Sequence, residues 1–391
     1  MITLSGLDVL RQRNFADLRG RRVGLLTNPS AVTRDLKSAY RVFTGSPDVD
    51  VRALFGPEHG FAAVAADGEH VESSVDPRTG IPVHSLYGPS LRPTAEMLAD
   101  IEVLVCDIQD IGVRYYTFAW TISIAMEAAG AAGVEVIVLD RPNPLGDEVD
   151  GQPGSDRFAS LVGLHSVPTR HGLTLGELMR LVNQQWSPTP ASLTVISCAG
   201  YTRSTRWEET GLPFVPPSPA MPHRSTVQQY VGACLVEGTN LSEGRGTALP
   251  FEICGAPFID GEALAEQLNA LNLPGVRYRP HIFQPSRSKY AGQTCNGVQA
   301  HVIGSDYRPL AAWVAVIQAI RHQYPDQFQW LPPYEGSTEK PFDHLARSDT
   351  LRAHIDANAP LNDLIEQWNA AARDWRQFRK EALLYPQESD S

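Results

Sequence analysis

Two hydrophobic textures alternate from the start of the chain to about residue 150. Short, nearly continuous apolar runs occur at "RVGLLTN", "VRALFGP", "IEVLVCD" and "VEVIVLD". Between them lie helix-like stretches such as "PTAEMLAD" and "FAWTISIAMEAAGAAG". A strand covered on both faces loses the in–out alternation of a half-exposed one, so such runs predict buried parallel strands. Strand–helix alternation of this kind predicts βαβ units and an α/β fold. From about Gly151 the texture changes. "SPTPASLTVISCAGY" reads as a turn and a strand, and "FVPPSPAMPH" as a rigid proline-rich loop that cannot continue a helix. "TVQQYVGACLVEG" sets Val227, Tyr230, Val231, Cys234 and Leu235 at helical spacing. "EALAEQLNAL", "LAAWVAVIQAIRHQY" and "LNDLIEQWNAAARDWRQFRKEAL" predict further helices, and "GVQAHVI" a strand. The pattern predicts an N-terminal domain over 1–164 with a mostly parallel sheet, then a smaller α+β domain over 165–391. The tail "PQESDS" is expected to be loose.

Ligands of open parallel sheets bind beyond the carboxyl ends of the strands, so the residues that follow each apolar run matter most. The first run leads to Thr27, Asn28 and Ser30, and the second to Glu58 and His59. The third leads to Asp107, Gln109, Asp110, Arg114, Tyr115 and Tyr116, and the fourth to Asp140, Arg141 and Asn143. Asn28, Asp107 and Asp140 also have a plain reading as helix caps or turn residues. Four strand ends bearing carboxylates, amides and an arginine on one edge argue for more than turns. Glu58 stands out. Gly56-Pro57 fixes a turn before it, and Gly60 lets the backbone pass close to another group. A carboxyl in a concave, partly dry place favours its protonated form and can donate that proton. His59 either orients it or caps a neighbour.

Asp110, Arg114 and Tyr115 could supply a second carboxylate, an anion clamp and a phenol donor, or else an ion pair beside packed tyrosines. Asn143 sits between two prolines in "DRPNPLG". "PTRHGLTLGEL" presents Arg170 and His171, followed by Thr174 and Glu177 in a capping-box spacing, which makes Glu177 structural. "PSPAMPH" ends at His223. "EGTNLSEGRGT" offers Asn240 and Arg245 among glycines. It superficially resembles a dinucleotide fingerprint but follows a predicted helix, and Leu249 takes the third glycine position, so no nucleotide is expected there. No G-x-S-x-G, H-E-x-x-H or P-loop motif occurs. Histidines such as His84 and His165 are scattered, and no spacing favours a metal site or a cofactor. Trp368, Trp375 and Phe378 recur at helical intervals and read as core.

Composition narrows the partners. With 391 residues and 42% apolar content, a sizeable core is available. A net charge of −11 argues against nucleic acid and anionic membranes as partners. The five cysteines, Cys106, Cys198, Cys234, Cys254 and Cys295, are widely spaced and read as buried thiols of a reducing compartment. No run of 18 uncharged apolar residues predicts a membrane span. The opening "MITLSGLDVLRQRNFADLRGRR" has no apolar signal core. Read as a native start it predicts a cytoplasmic protein. An exported chain with its leader removed would begin the same way.

Taken in order, "LLTNPS", "FGPEHGF", "CDIQDIGVRYYT", "LDRPNPLG", "PTRHGLTLGE", "PSPAMP" and "EGTNLSEGRGT" resemble the NamZ-like exo-β-N-acetylmuramidases, over a span from about Gly6 to Tyr385. The resemblance implies a Rossmann-like N-terminal domain, a smaller C-terminal α/β domain and an active-site cleft between them. It implies release of N-acetylmuramic acid from the non-reducing end of peptidoglycan fragments, with a disaccharide or muropeptide as the partner and Glu58 as the catalytic glutamate. The chemistry of the side chains adds Asp110 and His59 as catalytic candidates. Asn28, Asp107, Arg114, Tyr115, Asp140, Asn143, Arg170, His171, Asn240 and Arg245 are the substrate-binding candidates. Two rival readings are a metal-dependent hydrolase built on Glu58, His59, Asp107 and distant histidines, and a muropeptide-binding protein without turnover. Family members are often exported, whereas this opening fits turnover of imported fragments in the cytoplasm. Oligomeric state is not legible.

Overall fold

The structure is a computed structural model that describes residues 2–65 and 68–386. Most of the tail expected to be loose, 387–391, lies outside the described residues. The chain forms two compact units, and neither is one continuous stretch. The first takes residues up to 148, 171–219 and everything from 377 onward, and the second takes 149–170 and 220–376.

The first unit is built on a seven-stranded sheet. Its strands are β1 (Arg22–Thr27), β2 (Asp50–Gly56), β3 (Ser74–Val75), β4 (Pro82–Ser85), β5 (Val103–Asp107), β6 (Glu135–Leu139) and β7 (Leu193–Ile196). They lie in the order β3-β4-β2-β1-β5-β6-β7. All pairings are parallel except β3 with β4 at one edge. The four apolar runs are β1, β2, β5 and β6, and all five residues of β5 are buried. The seventh strand lies beyond residue 164, so the sheet reaches past the boundary expected from the sequence. Chain direction along the sheet reverses between β1 and β5, the switch point where doubly wound sheets hold ligands.

Local chemistry sets the element ends. The helix Phe118–Ala132 follows β5 and buries ten of its residues, as expected of a helix that covers a sheet. It stops at Gly133, whose left-handed backbone (φ +71°) with open space around it is a position glycine fills without strain. The helix Leu175–Gln185 starts with the expected capping box, Thr174 with Glu177. The stretch "PTAEMLAD" yields only the single turn Ala95–Leu98.

The second unit holds a three-stranded antiparallel sheet of β8 (Ile253–Ala256), β9 (Val276–Phe283) and β10 (Cys295–Val302), with β10 in the middle. Helices Arg224–Ala233, Gly261–Ala270 and Pro309–Gln323 accompany it. The first and last of these approach so closely that a Cβ on Gly232 would lie 2.3 Å from the Pro309 carbonyl oxygen. The strand β9 is not evident in the sequence because Pro280 interrupts it. Among the described residues no helix is long and apolar enough to cross a membrane.

Candidate active site

The parallel register puts the polar strand ends on one edge of the sheet. Phe55 and Cys106 both pair with Leu26, so the residues after β2 and β5 leave the sheet at similar height. Glu58 and Asp110 follow within a few residues. Between them, the switch point is filled by protein groups. Arg141 grips Asp107 with two hydrogen bonds, Nε to Oδ1 at 2.6 Å and Nη2 to Oδ2 at 3.0 Å, and both side chains are buried. Its Nη1 donates to the Val32 carbonyl, and the Gln109 N–H reaches Ser30 Oγ. Asn28 Oδ1 accepts from the N–H and hydroxyl of Ser30, and its Nδ2 donates to the Pro217 carbonyl. Asp107 and Asn28 therefore brace the crevice, with Asn28 also shaping its turn.

Glu58 occupies the open place one strand further along. From Ala53 to Gly60 every residue is buried except Glu58, which is partly exposed. Its Oε2 accepts from the Thr117 hydroxyl at 2.6 Å and its Oε1 from the Gly68 N–H at 3.2 Å. His59 is buried in a left-handed conformation with φ +68°, a cost that a non-glycine residue carries only where its surroundings enforce it. Those surroundings are visible. Its ring nitrogen Nδ1 is 2.9 Å from the Ala65 carbonyl, its own carbonyl accepts from Val64 and Ala65, and its ring stands edge-on to Phe118. His59 thus holds the turn that presents Glu58.

The loop after β5 is equally constrained. Asp110 is buried, and its Oδ2 accepts from the Gly112 N–H at 2.7 Å, while its Oδ1 is buried without a hydrogen-bond partner. Burial pushes its carboxyl up to about 7, against the pull of the Gly112 and Ile111 N–H groups. Gly112 needs to be glycine. Its φ is +77°, and a Cβ there would lie 2.3 Å from Asn143 Oδ1. Asn143 donates to the Leu173 carbonyl and accepts from the Leu145 N–H, which locks the neighbouring loop. Arg114 and Tyr115 are buried, with the Arg114 guanidinium 6.0 Å from the Tyr115 ring centre and its carbonyl accepting from Trp120 Nε1.

Asp140 is an internal junction. It accepts from Thr174 Oγ1, the Gly176 N–H and the Tyr385 hydroxyl, and burial pushes its carboxyl up to about 6. His171 is also buried. Its Nδ1 accepts from the Leu173 N–H, and burial, then Arg379 and Arg114, push its ring down to about 3, so it is neutral at pH 7. Glu177, read as structural, both caps its helix and pairs with buried Arg203. The first unit thus holds Asn28, Glu58, His59, Asp107, Asp110, Arg114, Tyr115, Asp140, Asn143 and His171. Arg170, Asn240 and Arg245 belong to the second. There the Arg170 backbone pairs with that of Asp150, and Asn240 bridges Gln327 and Gln329. Arg245 already pairs with Glu237 at 2.7 Å and lies 3.6 Å from Glu243. The sequence singled out none of Thr117, Gly68 or the Arg141–Asp107 grip. A threonine before a helix reads as an ordinary cap, and pairing between loops has no local signature. Among the described residues no group of three or more His, Cys, Asp or Glu side chains converges as a metal site would.

Comparison with known proteins bears on the family and the fold. The N-terminal model of the exo-β-N-acetylmuramidase NamZ matches residues 23–225, and the C-terminal model matches 228–385. The peptidoglycan β-N-acetylmuramidase NamZ of Bacillus subtilis (strain 168) is 42% identical over 383 residues, covering 97% of this chain and 91% of that protein. Two crystal structures of DUF1343 family proteins from Bacteroides fragilis NCTC 9343 share the fold. One is 34% identical with a TM-score of 0.89, covering 98% of this chain and 99% of the other. The second is 26% identical with a TM-score of 0.77, covering 99% and 100%. The chain belongs to the NamZ family of exo-β-N-acetylmuramidases.

Proposed function

We propose that the protein is an exo-acting glycoside hydrolase that releases N-acetylmuramic acid from the non-reducing end of peptidoglycan fragments, with Glu58 as the general acid. The observation that carries the role of Glu58 is its setting: the one side chain open to solvent in an otherwise buried segment, at the carboxyl edge of a parallel sheet. Cleavage of a glycosidic bond needs a proton for the leaving oxygen and stabilisation of an oxocarbenium-like centre. Glu58 supplies the proton as the bond from the anomeric carbon to that oxygen breaks. Asp110, with one carboxylate oxygen unpartnered and its carboxyl near 7, is the second group. It activates water, attacks the anomeric carbon as nucleophile, or orients the substrate's own 2-acetamido group for attack. Anomer analysis of the first-formed sugar separates the first from the other two, because water activation inverts whereas a carboxylate nucleophile and acetamido participation both retain. Asp107 is the weaker choice, since both its oxygens are held by Arg141. The lactyl carboxylate of muramic acid calls for a guanidinium, and Arg114 and Arg245 are the candidates for it. Five buried free thiols suit a reducing compartment and support turnover of fragments in the cytoplasm.

The deciding experiment compares wild type with Glu58→Gln on N-acetylmuramyl-β-1,4-N-acetylglucosamine. Turnover is expected to fall at least ~100-fold, the low end of general acid catalysis. Near-wild-type release of N-acetylmuramic acid would remove Glu58 from the mechanism. Ligand-induced thermal stabilisation with no sugar released by wild type would favour a binding protein instead.

A further inference from the structure

We propose that Thr117 is the positioning residue for the proton donor: its hydroxyl fixes the Glu58 carboxyl in the orientation from which the proton reaches the glycosidic oxygen. The inference rests on the reading of Glu58 as general acid and deepens it. Two buried segments open at one spot. Between Ala53 and Gly60 only Glu58 is not buried, and between Val103 and Ser123 only Thr117 is not. These two residues, 59 apart in sequence, meet in a 2.6 Å hydrogen bond from Thr117 Oγ1 to Glu58 Oε2.

The local geometry shows what Thr117 forgoes. It stands at the N-cap of the helix Phe118–Ala132, where a threonine ordinarily turns its oxygen to an N–H of the first turn. Here its backbone is already helical (φ −69°, ψ −17°) and its side chain makes no capping bond. The hydroxyl goes to Glu58 instead. The residues either side are rigid. Tyr116 and Phe118 are buried and stack edge-to-face at 4.8 Å, and Phe118 also meets the ring of His59. Adjacent pairs, Glu58–Thr117 and His59–Phe118, thus pin the turn after β2 to the start of the helix after β5. One fixes the backbone and the other the carboxyl. With Oε2 held by Thr117 at 2.6 Å and Oε1 more loosely by the Gly68 N–H at 3.2 Å, the carboxyl plane is fixed at a set angle, and a proton donor a fraction of an ångström out of line loses much of its advantage.

The test uses Thr117→Val, which keeps the shape and removes the hydroxyl, and Thr117→Ser, which keeps the hydroxyl. Glu58→Gln runs in parallel. Each is assayed on the disaccharide and on an aryl β-N-acetylmuramide whose phenol is acidic enough to leave without a proton. Because no capping bond is lost, the Val variant should melt within about 2 °C of wild type. It should lose about 10-fold or more in kcat on the disaccharide, with KM within about twofold, and less than about threefold on the aryl substrate. The Ser variant should stay within about threefold on both. A loss of equal size on both substrates would mark Thr117 as merely structural and overturn the proposal. So would an undiminished Val variant alongside an inactive Glu58→Gln. If Glu58→Gln itself stays active on the disaccharide, the general-acid reading fails first and the role of Thr117 falls with it.

Discussion

At the scale of single residues, Asp110 is in tension with its surroundings. Its carboxyl sits near 7 in the folded protein against an ordinary value of 3.8. Between those values the native state holds more protons than the unfolded chain, so stability falls as pH rises through that window and stays low above it. Replacement by Asn keeps an acceptor for the Gly112 N–H and removes the titration. Asp110→Asn should match wild type near pH 4 and exceed it progressively toward pH 8. The gain should reach up to about 4 kcal/mol, since each tenfold change in proton affinity is worth about 1.4 kcal/mol. Urea unfolding at several pH values checks this, and a difference that does not grow with pH contradicts it. His171, near 3 in the folded state, acts with the opposite sign, since its contribution is lost as pH falls below 6.5. It is common to both proteins and drops out of the comparison. Activity should move against stability, with turnover on the disaccharide falling at least ~10-fold, as expected where a buried carboxyl is kept for chemistry.

At the scale of elements, the sequence and the fold agree where the physics is local. Four continuous apolar runs became four central strands, because a strand covered on both faces has no polar register to hide. The Thr174–Glu177 box is visible as spacing alone. What escaped depends on partners far along the chain. Pro280 hides β9, which stands at the edge of its sheet, where a residue without an N–H is tolerated. Asp107 read as a ligand group because nothing nearby in sequence announces Arg141, 34 residues on. Glu58 was legible from its glycines and proline, but Thr117, which holds it, was not. Gly112 belongs to this non-local class too, since its need for glycine comes from Asn143 as well as from its own φ. Gly112→Ala should therefore cost about 2–4 kcal/mol, combining a left-handed alanine with an overpacked contact. Adding Asn143→Ala removes the clash but not the backbone strain. The double variant should then be less destabilised than the sum of the singles. Additive costs in chemical denaturation would show that Asn143 does not oppose the new methyl group.

At the scale of the whole molecule, the first unit is closed by the end of the chain. After crossing the second unit the polypeptide returns at 377 and threads a set of buried polar groups. Arg379 donates to the carbonyls of His171, Gly172 and Asp147. The Leu384 N–H donates to Glu177, and the Tyr385 hydroxyl joins Asp140 to the Cys198 N–H. Two of these acceptors, His171 and Asp140, are themselves candidate site residues, so the last segment braces that part of the first unit directly. A fragment ending at 225, where the N-terminal family match stops, would take one hydrogen-bond partner from each of these groups, although Asp140, Glu177 and Gly172 keep others. Each hydrogen bond lost costs about 0.5–1.5 kcal/mol, more where the group keeps no other partner, and several together rival the lower end of the roughly 5–15 kcal/mol that typically holds a domain folded. The fragment should therefore show no cooperative melt. Tyr385→Phe in the full chain tests one link alone. It should cost about 1–3 kcal/mol, and more above pH 6, where Asp140 ionises with one donor fewer. A fragment that melts cooperatively near the temperature of the intact protein would show that the N-terminal sheet closes without the returning segment. The buried contacts of Arg379 and Tyr385 would then be incidental to stability.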